Sequence, residues 1–228
     1  MPDGTPTPAL PADAKPLNSY EREFVAMMND VDALIDGDLP PKHRKILVNY
    51  RRHGLLEVAG RYDELLKPTM TIEEPRYRVI EGGKTVVLDG MATVRGFYET
   101  LAALDMLVMW TGRQKMAVHD WGFAGEAEFS QFVPGKMLGD DVFGSIGNDP
   151  TAAAPVSSKF DSEGWYLVRR TLAFVWHYED DGRLIGEHVY EDPITKKIEQ
   201  VDPSVVINGA RAAQLLAPII DKYGRCEV

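Results

Sequence analysis

Tyr50, His53 and Glu57 recur at i, i+3 and i+7 in the stretch "VNYRRHGLLEVAG", which sets a phenol, an imidazole and a carboxyl on one helix face. The phenol can donate to an oxygen that gains charge. The same face also reads as a solvated surface, because Arg51, Arg52 and Arg61 lie nearby. A second acidic feature is "TMTIEEP", Thr69 to Pro75, which reads as a strand. On a strand Glu73 and Glu74 point to opposite faces, so one can be solvated while the other looks inward. A glutamate starts near a pKa of about 4.3, and burial among aromatics raises it toward the range in which a general base works. Glu74 is therefore expected to be the general base of a shielded pocket, facing Tyr50. The competing reading makes it an edge-strand surface acid paired with Arg76 or Arg78.

The histidines divide. His119 in "AVHDWGF" falls mid-strand and reads either as a pocket acid/base or as a satisfied core histidine. Glu187 and His188 are adjacent on a strand, so only one can face inward without a bulge; His188 is preferred as the proton carrier. His177, between Trp176 and Tyr178, is expected to be structural, and His43 to be solvent-exposed. Trp110, Trp121, Trp165, Trp176, Phe97, Phe129, Phe174 and Tyr178 fall in strands or in the helix beneath them. Most such residues are core, yet a pocket wall drawn from them suits a flat apolar or aromatic ligand.

Elements that could hold these groups follow from periodicity. Residues 1–18 carry Pro2, Pro6, Pro8, Pro11 and Pro16 and read as a flexible arm before one domain, 19–228. Asn18 or Ser19 can cap a helix with Phe24, Met28, Val31 and Ile35 on its apolar face, ended by Gly37. A second helix is expected from about Lys42 to Ala59, and "RYDELL" supplies a short third. "TMTIEEP" and "RYRVIEG" read as a bent strand pair, "KTVVLDG" as a strand, and "MATVRGFYETLAAL" as a helix with Met91, Val94, Tyr98 and Leu101 on one side. "MLVMW", "QKMAVHDWGF", "AEFSQFV", "WYLVRRTLAFVWHY" and "RLIGEHVYED" are strand-like, with "EDDGR" a hairpin signal. Residues 139–164 read as an inserted loop, and 209–223 as a C-terminal helix containing Pro218. The layout is α+β: a curved antiparallel sheet wrapped over N-terminal helices, which leaves a cone open at one end.

Composition narrows the function. A formal charge of −10 on 228 residues argues against nucleic acid or an anionic membrane as partner. The one cysteine, Cys226, excludes an intrachain disulfide and suits a cytoplasmic setting. No dinucleotide fingerprint, phosphate loop or "HExxH" is present, and alternation splits the metal-capable residues of "EHVYED" between two faces, so neither cofactor nor metal is expected.

"VNYRRHGLLEVAGRYDELLKPTMTIEEP" followed by "LDGMATVRGFYETL" resembles the SnoaL-like and ketosteroid-isomerase-like branch of the nuclear transport factor 2 superfamily, and "VWHYEDDGRLIGEHVYED" resembles its final hairpin. The resemblance runs from about Lys42 to Asp192. It implies the cone-shaped NTF2-like barrel, with Glu74 where the isomerases carry their proton-shuttling aspartate. Tyr50 precedes Glu74 by 74 − 50 = 24 residues, the separation of the isomerases' oxyanion tyrosine and base. Phe174 stands where those isomerases place a second acid, so steroid isomerisation is not expected. The helical N-terminus, the insertion and the C-terminal helix resemble the sphingomonad lyases that act on lignin-derived diarylpropane diols.

That resemblance implies a cofactor-free lyase releasing formaldehyde and water to leave a stilbene. Glu74, Tyr50, His119 and His188 would be its catalytic groups. His53, Arg76, Arg78, Tyr98, Trp121, Phe174, Trp176 and Glu187 would contact a hydrophobic aromatic substrate. A dehydratase, isomerase or cyclase, and a non-catalytic binding or assembly module, are the alternatives. Pairing of copies through the exposed sheet face, as a dimer or trimer, is also implied.

Overall fold

Asn18 opens the first helix with a capping box: its side chain accepts from the Glu21 N–H, and the Glu21 carboxylate accepts from the Asn18 N–H. The computed structural model describes residues 16–81, 84–138 and 159–223. The expected arm therefore lies almost wholly outside the described residues, and so does most of the loop read at 139–164.

The first expected helix is two: α1 (Ser19–Val25) and α2 (Asn29–Ile35). The break has a cause. The carbonyl of Met27 accepts from Thr111 Oγ1 at 2.9 Å and from Gln114 Nε2 at 2.8 Å, side chains of a strand far along the chain. Pro41, whose fixed φ suits a first helical position, starts α3 (Pro41–Val58). Gly60, at φ +72°, turns the chain into the single-turn α4 (Tyr62–Leu65).

"TMTIEEP" is not a strand. Its backbone is pinned at one bridge: the N–H of Ile72 donates to the Leu184 carbonyl at 3.0 Å, and the N–H of Leu184 donates to that of Met70 at 2.8 Å. The chain then leaves strand geometry before Glu73, so the two-residue alternation does not apply, and Glu73 and Glu74 are both exposed. The hairpin at this point is instead β1 (Arg76–Glu81) with β2 (Lys84–Asp89), followed by α5 (Met91–Ala103).

β3 (Met109–His119) fuses two of the expected runs across a bulge between Thr111 and Gln114. It turns at Asp120 and Trp121 into β4 (Gly122–Pro134), so His119 ends a strand and is not in its middle. β5 (Trp165–Tyr178) and β6 (Leu184–Val201) meet through "EDDGR" as expected. β6 runs on past Pro193, which the composition did not suggest. The register shifts between Arg169 and Thr171 opposite it, and a bulge is where a proline is tolerated. α6 (Gly209–Tyr223) carries Pro218 within it and packs on α3 and α1.

The fold is α+β. Its six strands form one curved, open sheet in the order β2-β1-β6-β5-β4-β3, over which α3 and α5 lie. Every neighbouring pair is antiparallel except β1–β6, which is parallel. Among the described residues no helix is long and apolar enough to cross a membrane.

The parallel junction depends on Gly186. A β-carbon there would lie 1.9 Å from the Arg76 carbonyl oxygen, so β1 and β6 approach only because that atom is missing. Gly186→Ala is expected to lower the unfolding free energy by about 3 kcal/mol or more, a severe loss for backbone overlap. Denaturant titration of the purified variant measures it.

Candidate functional site

Three strands aim alternate residues into the concavity. β1 contributes Tyr77, Val79 and Glu81, β6 contributes Glu187 and Val189, and β5 contributes Trp176, Phe174 and Leu172. Parallel pairing of Arg78 with His188 sets Tyr77 beside Glu187, and antiparallel pairing sets Trp176 opposite Glu187. From the other side α3 adds Tyr50 and Glu57, and α5 adds Phe97, Tyr98 and Leu101. These residues enclose a small, largely apolar cavity of about 90 Å³ that opens to solvent at its mouth.

The polar chemistry gathers at one end, around His53. Its Nε2 lies 3.2 Å from the Tyr98 hydroxyl, 3.4 Å from Glu57 Oε2 and 3.8 Å from Glu187 Oε1, and its side chain is fully buried. Tyr98 donates to Glu187 Oε1 at 3.4 Å. The buried Tyr77 hydroxyl is turned toward Glu187 and Tyr98 but completes no hydrogen bond of normal geometry. Trp176 packs edge-on against both Tyr50 and His53, with ring centroids 5.0 and 4.7 Å apart. Its buried indole N–H has no acceptor among the described residues, nor has Nδ1 of His53 a partner.

Burial pushes the Glu187 carboxyl well above the usual carboxylate range, and the charge of Glu57 pushes it further. The Tyr77 and Tyr98 hydroxyls oppose this and do not outweigh it. Burial likewise raises Tyr50, Tyr77 and Tyr98, with Glu187 and Glu57 adding to the effect, so all three phenols stay protonated. The arrangement is a protonated carboxyl and a second carboxylate bracketing one imidazole, beside an apolar chamber. It can give a proton to one part of a ligand and take one from another.

Several expected site residues are placed otherwise. Glu74 is exposed and does not line the cavity. Its Oε2 comes within 3.0 Å of where a β-carbon on Gly90 would sit, at the amino end of α5, where the helix dipole favours an anion. Tyr50 does line the cavity, but its hydroxyl donates to Gln114 Oε1 at 2.8 Å, so that proton is already committed. His119 is exposed at the β3–β4 turn, and Trp121 beside it is also exposed. Of the adjacent pair Glu187 and His188, the glutamate faces inward. His188 lies on the outer sheet face, with its ring centroid 4.9 Å from that of His177. Burial lowers the pKa of both histidines, and Arg78 nearby adds to it.

Arg76 and Arg78 are exposed, and Arg76 pairs with Asp89 at 2.9 Å. His43, expected in solvent, is half-buried with Nε2 2.8 Å from Asp120 Oδ1. The structure does bring Tyr98, Phe174, Trp176 and Glu187 together on the cavity wall, with His53 behind them. Glu57, Tyr77 and Glu81 are additions. Glu57 was signalled by its helical spacing from His53, and Tyr77 and Glu81 by alternation along "RYRVIE". Among the described residues no group of three or more His, Cys, Asp or Glu side chains is arranged to hold a metal ion.

A carboxyl whose proton affinity is raised in the folded state stabilises the fold fully below its unfolded pKa, and that contribution is lost as pH rises through the folded value. Glu187→Gln cannot ionise and removes the dependence. Relative to the wild type, the variant is expected to gain stability as pH rises above the usual carboxylate range near about 4.3 and through neutrality. Urea midpoints across that range measure it, and parallel curves for the two proteins would contradict the burial effect.

No family model matches the chain, and no curated sequence matches it. Among solved structures it is similar to a putative SnoaL-like polyketide cyclase from Jannaschia sp. CCS1, at 13% identity over 69% of this chain and 92% of that one, with a TM-score of 0.46. An epoxide hydrolase/cyclase-like enzyme with a role in pyran ring formation in the polyether salinomycin is similar at 12% identity, over 66% and 93% of the two chains, with a TM-score of 0.43. An NTF2-like protein with a cystatin-like fold from Novosphingobium aromaticivorans is similar at 15% identity, over 64% and 78%, with a TM-score of 0.34. SnoaL-like and NTF2-like proteins are therefore among the structures to which the chain is similar.

Proposed function

We propose that this protein is a cofactor-independent acid–base lyase for a hydrophobic aromatic small molecule, and that Glu187 is its general acid. One observation carries the reading: a carboxyl kept protonated by burial at the end of an apolar cavity, with a second carboxylate on the other side of the same imidazole. A general acid of this kind has its proton available at neutral pH, and the acid and base remain distinct because one is buried more deeply.

For a diarylpropane-1,3-diol the steps balance. Glu187 gives its proton to the benzylic hydroxyl, which leaves as water. Glu57 takes the proton of the primary hydroxyl, the bond between that carbon and its neighbour breaks to release formaldehyde, and its electron pair becomes the new C=C bond of a stilbene. His53 Nε2, within 4 Å of both carboxyls, then returns the proton from Glu57 to Glu187. The unpartnered indole N–H of Trp176 is a donor for a substrate oxygen, and Phe97, Phe129 and Phe174 flank the aryl groups. The same pair would serve a dehydratase or isomerase: protonated Glu187, held by the Tyr98 hydroxyl, is a donor able to stabilise an enolate oxygen.

Formaldehyde release from a panel of lignin dimers tests the lyase, and turnover of an enone without formaldehyde would favour the isomerase. Glu187→Gln is expected to lower kcat by about a hundredfold or more, the scale of a lost general acid. Glu74→Gln, altering an exposed group, should leave it within about twofold. Activity is expected to survive prolonged chelation and to fall on the alkaline side as Glu187 loses its proton. No turnover of any member of either panel would leave a binding module.

A further inference from the structure

The chamber is too small for the ligand that its walls suit. About 90 Å³ is open within it, whereas an apolar cavity of about 150 Å³ holds one benzene ring and small-molecule sites start at roughly 300 Å³. One wall must therefore move for an aromatic compound to enter. β1, β5 and β6 are each hydrogen-bonded along both edges, so displacing any of them breaks two ladders. α3 packs against α2, α4 and α6 as well as the sheet. α5, which supplies Phe97, Tyr98 and Leu101, differs: it packs chiefly on β2, the edge strand.

Both ends of α5 carry left-handed backbone. Gly90, which precedes the helix, has φ +82°, and Asp105, just beyond it, has φ +56°. Asp105 is the one non-glycine residue in that region among the described residues, a conformation that persists only where the surroundings hold it. Here its Oδ1 accepts from the Gly209 N–H at 2.8 Å, which ties this end of α5 to the start of α6. Arg95 pairs with Asp63 of α4, and Tyr98 meets His53 at 3.2 Å and Glu187 at 3.4 Å. These contacts, with the burial of Val94, Tyr98 and Leu101, hold the helix down, and no strand ladder breaks when they part.

We propose that α5 is the gate of the chamber: it swings outward on Gly90 and Asp105 as one body, admits the ligand and closes over it. Terminal positions of this kind absorb the backbone rotation of a hinge. Opening takes the Tyr98 hydroxyl away from Glu187 and His53, so the polar cluster is complete only when the chamber is shut. The inference rests on the reading of the chamber as the ligand site and adds the control of access to it.

Hydrogen–deuterium exchange of the full chain, resolved by residue, tests the gate without ligand or turnover. Amides in the middle turns of α5 are expected to exchange at one common rate, about a hundredfold or more faster than those of α3. Tying α5 to α4 should abolish that difference. Asp63→Cys and Arg95→Cys, in a Cys226→Ser background, replace the ion pair between the two helices and can be joined by a short, cleavable thiol-reactive linker. Joining is expected to bring the ratio of α5 to α3 rates toward one, and cleavage of the linker to restore it. A wild-type ratio near one, exchange that spreads inward from the helix ends, or a ratio that survives the linker would each overturn the proposal. If the triple variant does not fold, the wild-type rates alone decide. Exchange as expected with no turnover of either panel keeps the gate and removes the lyase; formaldehyde release with a ratio near one does the reverse.

Discussion

Burial of the Glu187 carboxyl against the charge of Glu57 is the interaction on which the electrostatics of the cavity depend. In water the two groups would both ionise. Within the chamber the medium is poor at solvating a second negative charge, so one proton is retained on Glu187, and His53 Nε2 lies within 4 Å of both carboxyls. Retention of the proton is a property of the assembled cavity and of no single residue.

Assembly of that cavity requires four elements to arrive together. α3 brings His53 and Glu57, β6 brings Glu187, and β1 brings Tyr77, while α5 closes the other side with Tyr98. The parallel contact of β1 with β6 sets Tyr77 at the carboxyl and is possible because Gly186 presents no side chain to the Arg76 carbonyl. On the far side of α3, Gln114 ties the Tyr50 hydroxyl to the Met27 carbonyl, so the α1–α2 break and the orientation of Tyr50 share one buried amide. Helix, strand and break are thus fixed by the same few polar contacts, in a setting where an unmade hydrogen bond is costly.

The ion pair of Arg170 with Glu81 is also buried, and pairs of this kind add little net stability because both ions lose their water. Its geometry matters more than its strength. The guanidinium donates to one oxygen of Glu81 and so fixes a carboxyl that borders the chamber.

The amino-acid sequence by itself determined the helices over 41–58, 91–103 and 209–223, the long strands, and the shared face of Tyr50, His53 and Glu57, because these follow from local periodicity. It did not determine which acid is buried. Glu74 looked internal only on the premise that "TMTIEEP" continues as a strand. Whether a segment keeps strand geometry depends on a partner's backbone, and here the one bridge to Leu184 ends before Glu73. The choice between Glu187 and His188 was likewise open, since alternation states that they face apart but not which faces in. Tertiary structure decided both: pairing of β6 between β1 and β5 turned the glutamate toward α3 and the imidazole outward, and only then did burial alter its hold on a proton.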